Sequence, residues 1–156
     1  MDTPVPHLQY EANIDDMDPR LWPTVIDKLL AAGAQDAWVT PILMKKGRPA
    51  FTLGVLCGEA AATEVRATVF RETTTLGIRE LPIQKYVLDR AETKVDVDGV
   101  GVGVKWAFDG DLVMNRSVEW DDVVAASESL GLSAKDVLAA AEAAAWAQSA
   151  PHTSTE

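Results

Sequence analysis

The order of strand and helix patterns constrains the fold of this chain more than any other feature of its sequence. Residues 8–14 alternate apolar and polar side chains, which is typical of a strand with one buried face. The patterns that follow are, in order, a helix, strands over residues 36–44 and 50–57, a helix over 59–72 and a strand over 76–90. This order predicts an α+β fold: a ferredoxin-like βαββαβ core over residues 8–90, with both helices on one face of an antiparallel sheet.

The start of the first helix carries two conflicting signals. Asp18 followed by Pro19 is a helix-start signal, with Asp as the N-cap and Pro at the first helical position. Pro23 would fall in the second turn of that helix and remove a backbone hydrogen bond. We therefore expect the regular helix to begin near Pro23 and to end at Gly33.

A second section follows the core. Two alternating segments on either side of Asp98-Gly99 predict a C-terminal β-hairpin. Two helices are expected after it, the first from Ser117 to Leu130 and the second from Ser133 to about Gln148. The predicted domain organisation has three parts: the core over 8–90, the hairpin and helical extension over 91–148, and a disordered tail over 149–156.

The charge of the chain is unevenly distributed. The net charge is −10, which argues against a general nucleic-acid or anionic-membrane binder. Residues 45–90, however, hold eight Lys and Arg against five Asp and Glu and carry +3, which leaves −13 for the remainder. A locally basic segment in an acidic protein suits a small polyanion; the alternative is a solvated strand edge. No apolar run is long enough to span a membrane.

Cysteine and histidine are scarce. The single cysteine, Cys57, excludes an internal disulfide and predicts a reducing, cytoplasmic location. It ends an apolar strand pattern, so we expect a buried and inert thiol. The two histidines, His7 and His152, lie near the ends of the chain, where we expect flexibility. A nickel or zinc site built from His and Cys, or thiol catalysis, is therefore not expected within this chain.

A pair of adjacent carboxylates, Asp15 and Asp16, directly follows the first strand pattern. Adjacent carboxylates at a strand end repel each other and are stabilised by a hard cation such as Mg²⁺ or Mn²⁺. Asn13 adds a neutral oxygen ligand to the candidates. The alternative is that one carboxylate is solvated and the other caps a turn.

A basic turn joins the two central strands. Lys45, Lys46 and Arg48 surround Gly47, whose conformational freedom allows its N–H to join the side chains on one anion. Pro49 and the glycine make this connection stiff. The alternative interpretation is a solvated basic hairpin tip.

A hydroxyl cluster ends the second helix. Arg71 and Glu72 are followed by Thr73, Thr74 and Thr75. Arginine and hydroxyl groups are phosphate ligands, and Glu72 either pairs with Arg71 or joins a metal site. The alternative is a simple helix stop, because consecutive threonines favour a strand. Together the three motifs supply the groups that bind a metal–nucleoside triphosphate complex.

These motifs, in this order and at this spacing, resemble the LarC family. The family comprises the nickel-insertion proteins that complete the nickel-pincer nucleotide cofactor of lactate racemase. The matching segments are Asn13–Met17, Lys28–Ala34, Met44–Pro49 and Arg71–Arg79. The resemblance runs from about Tyr10 to Trp146 and covers the C-terminal half of a family member.

The resemblance implies a specific role. The family inserts nickel, as a substrate, into pyridinium-3,5-bisthiocarboxylic acid mononucleotide while consuming CTP, which is lyase chemistry. Its C-terminal domain binds CTP with Mg²⁺ or Mn²⁺ and forms homo-oligomers. An N-terminal half or separate subunit handles nickel, so this chain would be one part of the enzyme. The implied contacts are Asp15 and Asp16 for the metal; Lys45, Lys46, Gly47, Arg48 and Arg71 for the triphosphate; and Thr73, Thr74 and Thr75 for phosphate or ribose.

Two alternatives from other functional classes stay open. A ferredoxin-like module that only oligomerises would use the basic turn to contact carboxylates of another subunit. A regulatory domain would bind a small effector, an interpretation that rests on fold analogy alone. The sequence leaves the catalytic residues, the base specificity, the cation and the oligomer size open.

Overall fold

The computed structural model describes residues 5–151, and these residues form two compact units, 5–86 and 87–151. Each unit has a hydrophobic core of its own. Residues 152–156, which include His152 and most of the predicted tail, lie outside the described residues. Across residues 5–151, the model has no helix of the length and apolarity that crossing a lipid bilayer requires.

The first unit contains four strands and two helices in the predicted order. They are β1 (Val5–Ile14), α1 (Trp22–Ala31), β2 (Asp36–Met44), β3 (Arg48–Cys57), α2 (Ala62–Glu72) and β4 (Arg79–Lys85). The strand order in the sheet is β2-β3-β1-β4, and every neighbouring pair is antiparallel. This is the split βαβ arrangement, so the ferredoxin-like prediction is confirmed.

One face of this sheet is buried beneath both helices. Alternate residues of β1, such as Tyr10 and Ala12, pack with Leu53 and Val55 of β3 against Val25 of α1 and with residues of α2. Because side chains alternate across a strand, the intervening residues of β1 and β3 lie on the opposite face of the sheet. That opposite face is the polar one, and it carries part of the candidate site.

The start of α1 follows the sequence signals closely. Asp18 caps a short 3₁₀ turn, since its Oδ1 accepts from the Arg20 N–H, and the regular helix begins at Trp22, next to Pro23. The hydrogen bonds from Arg20 also lower the pKa of Asp18. Gly33 follows the helix at a φ of 98°, as a left-handed C-terminal residue should.

His7 corrects one sequence expectation. The prediction that it lies in a flexible end is wrong, because it is 6% exposed within β1. One ring nitrogen lies 2.9 Å from the Val5 carbonyl oxygen and the other 2.8 Å from Gln35 Oε1. The strand extends three residues further towards the N-terminus than residue 8, because Val5–Leu8 pair with β4.

The second unit contains the predicted hairpin and two helices together with one strand that was not predicted. Its elements are β5 (Asp89–Val97), β6 (Val100–Asp109), β7 (Leu112–Val118), α3 (Trp120–Leu130) and α4 (Ala134–Ala147). The expectation that a helix begins at Ser117 is wrong. Ser117 pairs with Lys105 in an antiparallel β6–β7 ladder, and α3 begins at Trp120.

Close contact between β6 and the start of α3 explains a glycine in the second unit. The Gly103 N–H donates to Asp122 Oδ2 at 2.8 Å, and the Glu119 N–H donates to the Gly103 carbonyl at 2.8 Å. A Cβ atom at position 103 would lie 2.9 Å from Asp122 Oδ2 and 3.0 Å from Glu119 Cγ. Only glycine allows this approach without displacing a neighbour.

Candidate functional site

The three sequence motifs meet at one end of the ferredoxin-like sheet. Asp15 and Asp16 directly follow β1, the basic turn joins β2 to β3, and the hydroxyl cluster lies in the connection between α2 and β4. Ile14 pairs with Phe51 and Glu11 pairs with Arg79, so the end of β1 lies beside the start of β3 and the start of β4. The antiparallel topology therefore brings all three connections together.

Asp15 links the first motif to the basic turn. Arg48 Nη1 donates to Asp15 Oδ2 at 3.2 Å, and the Arg48 side chain remains 58% exposed. The two residues lie 33 positions apart in the sequence, so this ion pair depends on the β1–β3 pairing. The contact leaves most of the guanidinium open to solvent and to an anion.

Asp16 links the first motif to the hydroxyl cluster. Thr74 Oγ1 donates to Asp16 Oδ1 across 58 positions of sequence. The neighbouring threonines serve the backbone instead: Thr73 Oγ1 donates to the Val69 carbonyl at the end of α2, and Thr75 Oγ1 donates to the Gly77 carbonyl. In this structure, Thr74 is thus the threonine of the cluster that contacts the carboxylate pair.

The basic turn adopts a compact left-handed conformation. Lys46 and Gly47 have φ values of 65° and 67°, and a Cβ atom on Gly47 would meet no atom within 4 Å. Across residues 5–151, neither Lys45 nor Lys46 forms an ion pair. Both lysines are exposed and come directly before Gly47 and Arg48 in the chain, so their charges are accessible to an anion.

Arg71 lies among carboxylates of its own helix. Its guanidinium pairs with Glu72 at 3.1 Å and with Glu64 at 3.7 Å, and it also donates to Thr68 Oγ1. Glu72 in turn pairs with Lys28 of α1 at 2.6 Å. The structure therefore pairs Asp15 with Arg48 and Asp16 with Thr74, but it gives Arg71 other partners.

Sequence reasoning missed Arg79, the first residue of β4. Its Nη2 donates to Asn13 Oδ1 at 2.9 Å and lies 3.4 Å from Glu11 Oε2. Thr52 Oγ1 donates to the same Asn13 oxygen at 2.9 Å, so this oxygen already accepts two hydrogen bonds. The alternation along β1 predicts that Glu11 and Asn13 share the polar face. It does not identify Arg79, which lies opposite Glu11 because of the β1–β4 register.

The donor set fits a hard cation only when a ligand adds oxygens. Carboxylate, hydroxyl and phosphate oxygens are the ligands that Mg²⁺ and Mn²⁺ prefer. Within residues 5–151, no three His, Cys, Asp or Glu side chains are grouped closely enough to hold a metal by themselves. Asp15 and Asp16 would therefore need phosphate oxygens to complete the coordination of a cation.

Two surface cavities lie elsewhere, both within the second unit. One, of about 250 Å³, is lined by residues that include Glu92, Lys105 and Asp122, and the other, of about 310 Å³, lies beside Arg116 and Trp146. The Arg116 guanidinium stacks on the Trp146 ring at 4.0 Å and donates to the Ala145 carbonyl at 3.1 Å. These contacts hold the end of α4 within the second unit.

Comparison with known proteins gives one consistent family. The family profile described as "Nickel insertion protein" matches residues 5–138. A pyridinium-3,5-bisthiocarboxylic acid mononucleotide nickel insertion protein of Nocardioides sp. is 52% identical over 136 residues, which cover 87% of this chain and 35% of that protein. A putative nickel insertion protein of Myxococcus xanthus is 39% identical over 134 residues, covering 86% of this chain and 34% of that protein.

Solved structures agree with the sequence matches. The apo form of LarC2, described as the C-terminal domain of a cyclometallase involved in the synthesis of the NPN cofactor of lactate racemase, superposes with a TM-score of 0.84 at 32% identity. That match covers 92% of this chain and 99% of the other. A protein of Methanopyrus kandleri shares the fold at a TM-score of 0.58 and 22% identity, covering 89% of this chain and 86% of that one. The chain spans about a third of the length of the two curated relatives described above, which is less than the half that the resemblance implied.

Proposed function

The chain belongs to the nickel insertion protein family, and we propose that it is the CTP- and divalent-metal-binding domain of the nickel insertase. The observation that carries this proposal is the convergence of three distant motifs at one end of the sheet, with direct Asp15–Arg48 and Asp16–Thr74 contacts. These contacts span 33 and 58 positions of sequence, so the fold is what brings the three motifs together.

Asp15 and Asp16 are the proposed metal contacts. A bound Mg²⁺ or Mn²⁺ would neutralise charge on the triphosphate and on these two carboxylates. Thr74 donates to Asp16, and Arg48 pairs with Asp15, so both carboxylates are directed towards the other two motifs before a ligand binds. Such preorganisation lowers the entropy lost on binding.

Lys45, Lys46 and Arg48 are the proposed phosphate contacts. The two lysines carry unpaired charges, and Gly47 has no side chain to block the approach of a phosphate to its N–H group. Thr73 and Thr75 remain proposed ribose or phosphate contacts, although their hydroxyls donate to backbone carbonyls here. Arg71 would have to leave Glu64 and Glu72 to join them.

The wider role rests on the relatives. We propose that the complete enzyme inserts nickel, as its substrate, into the nickel-free pincer nucleotide precursor. The other two thirds of the family sequence, in the same protein or in a separate subunit, would then supply nickel handling. A homo-oligomeric state and a cytoplasmic location stay predictions.

Calorimetric titration tests the proposal. CTP should bind the purified chain more tightly in MgCl₂ or MnCl₂ than in EDTA, because the metal reduces repulsion between phosphate and carboxylate. Absence of CTP binding in both conditions would favour the pure assembly module. Metal-dependent binding without CTP turnover in the complete enzyme would favour a regulatory ligand site. Parallel titrations with ATP, GTP and UTP determine the base specificity.

A further inference from the structure

Two arginines approach the end of β1 from the two strands that flank it. Arg48 lies on β3 and reaches Asp15, whereas Arg79 lies on β4 and reaches Asn13 and Glu11. β3 and β4 are the two neighbours of β1 in the sheet. Because adjacent strands lie about 4.8 Å apart, β3 and β4 are roughly 10 Å apart across β1. The register places Arg79 opposite Glu11 and Arg48 beyond Ile14. The two side chains therefore extend towards each other to reach Asn13 and Asp15.

The partners of Arg79 lie on the polar face of β1. Glu11 and Asn13 alternate with the core residues Tyr10 and Ala12, which places them on that face. Asp15, the partner of Arg48, lies just beyond the end of β1, two residues after Asn13. Arg48 precedes Thr52 by four residues on β3, so strand alternation places both on the same face, where Thr52 contacts Asn13.

We propose that Arg79 is a second phosphate-binding arginine, and that Arg48 and Arg79 together select a di- or triphosphate over a monophosphate. This inference rests on the proposed nucleotide function and deepens it by assigning a residue that determines phosphate-chain length. A guanidinium recognises a phosphate group with two parallel hydrogen bonds, so each arginine takes one phosphate of the chain.

The geometry of Arg79 suits this role. Its side chain is 52% exposed, so its guanidinium is open to a ligand although Asn13 and Glu11 fix its direction. Its contact with Glu11 is long, at 3.4 Å, and an exposed pair of this kind holds weakly. A phosphate can therefore replace Glu11 as the partner of Arg79 at little cost.

Arg66 provides a matched control on the same unit. It is a surface arginine of α2, 45% exposed, and pairs with Glu80, the residue that follows Arg79 on β4. Glu80 and Arg79 are neighbours on β4 and therefore point to opposite faces of the sheet. The Arg66–Glu80 pair thus lies away from the polar face that carries Arg79. Removing Arg66 changes the net charge as removing Arg79 does, without touching the proposed phosphate contacts.

The experiment measures CTP, CDP and CMP binding by calorimetry in saturating MgCl₂. Arg79→Ala should weaken CTP binding by about tenfold or more, the usual size for a lost hydrogen bond to a charged group, and should leave CMP binding almost unchanged. The CTP affinity of Arg79→Lys should lie between those of the wild type and Arg79→Ala, because lysine keeps the positive charge but cannot donate two parallel hydrogen bonds. Arg66→Ala should match the wild type, and Glu11→Gln should tighten CTP binding a few-fold by removing a competing carboxylate.

The outcomes separate this inference from the function on which it rests. CTP binding that is lost in Arg48→Ala but unchanged in Arg79→Ala would overturn the role of Arg79 alone. A wild-type chain that does not bind CTP would overturn both proposals. If thermal unfolding shows that Arg79→Ala is not folded, Arg79→Lys and Glu11→Gln decide the matter: wild-type CTP affinity in both would overturn the role of Arg79.

Discussion

The Asp15–Arg48 ion pair joins two groups that a metal–triphosphate complex would bind separately. The carboxylate would bind the metal, and the guanidinium would bind the phosphates. In the absence of ligand, Arg48 Nη1 lies 3.2 Å from Asp15 Oδ2, and both side chains remain partly exposed to solvent. Because an exposed pair contributes about 0–1 kcal/mol to stability, its exchange for ligand contacts costs little.

Lys46→Ala and Arg48→Ala should each weaken metal–CTP binding by roughly 1.5–3 kcal/mol, the range for hydrogen bonds to charged groups. The midpoint of thermal unfolding should barely change, since exposed charges contribute little to folding. Calorimetry and a thermal melt measure the two quantities on the same samples.

Lys135→Ala is the matched control for these two variants, because Lys135 is an exposed lysine of α4 in the second unit. Its removal should leave CTP affinity unchanged. A large loss of stability in Lys46→Ala or Arg48→Ala with unchanged CTP affinity would instead favour the assembly role of the basic turn.

Gly103→Ala tests the close contact between β6 and α3. The added Cβ would lie 2.9 Å from Asp122 Oδ2 and would displace this carboxylate from the Gly103 N–H. Overpacking of this kind should lower the free energy of unfolding by about 1–3 kcal/mol, measured with urea.

Gly101→Ala is the corresponding control. Its Cβ would lie 3.6 Å from Lys94 Cδ, an ordinary contact with a flexible side chain. A change within about 0.5 kcal/mol is expected there. Equal effects of the two substitutions would mean that the approach of Asp122 does not require glycine.

At the level of elements, the local signals along the chain predicted most of the fold. The alternation in β1, the Asp18 cap and the glycine after α1 gave the boundaries of β1 and α1 within three residues. The expectation of one strand over 76–90 is wrong, because β4 is Arg79–Lys85 and residues 89–90 belong to β5 of the second unit. The four candidate residues that form the Asp15–Arg48 and Asp16–Thr74 pairs all came from the carboxylate pair, the basic turn and the hydroxyl cluster of the sequence. These signals are local, so a single sequence carries them.

Features that depend on pairing were not predictable in the same way. The sequence of residues 112–118 gives only a weak strand pattern. These residues form β7 because they pair with β6. Arg79 is one of fourteen Lys and Arg in the chain, and only its register opposite Glu11 distinguishes it. Arg71 was expected at the site for its chemistry, but its nearest carboxylates are those of α2.

The contact between the ends of α1 and α2 should make stability depend on pH. The hydrogen bond from Lys28, and then that from Arg71, lower the pKa of Glu72 below its usual value near 4.5 despite partial desolvation. A depressed pKa stabilises the fold above the unfolded-state pKa, and this contribution is lost as pH falls through the folded-state pKa.

Glu72→Gln should therefore destabilise the chain at pH 7 and have a smaller effect near pH 3, which lies below the usual carboxyl pKa of the unfolded state, so that part of the stabilisation is already lost. Urea unfolding of both proteins at the two pH values measures the difference. A gap that is as large at pH 3 as at pH 7 would show that the ion pairs of Glu72 are not its cause.

At the scale of the whole molecule, the histidine and the cysteine of residues 5–151, His7 and Cys57, are both inaccessible to a metal. Both ring nitrogens of His7 have polar partners, and Cys57 is 0% exposed. Burial, followed by the charge of Glu80, raises the pKa of the Cys57 thiol and so disfavours the thiolate that metals bind. Hard carboxylates remain as the open ligands of the described residues, and they suit Mg²⁺ or Mn²⁺.

The chain alone should therefore form no tight stoichiometric nickel site. Nickel titration of the purified, tag-free chain in the presence of a chelating competitor measures this directly. Nickel handling would then fall to the other two thirds of the family sequence. A one-to-one site that survives the competitor and disappears in Cys57→Ser would contradict that division of labour.

The location of the metal–nucleotide complex is the central claim, and paramagnetic broadening by Mn²⁺ tests it most directly. The ¹⁵N-labelled chain is titrated with Mn–CTP, with Mg–CTP as the diamagnetic control. The amide signals of residues 13–18, 45–48 and 73–79 should broaden first, because broadening falls steeply with distance from the metal. Broadening centred on Arg116 and Trp146, or on the cavity beside Lys105, would place the complex in the second unit and contradict the account.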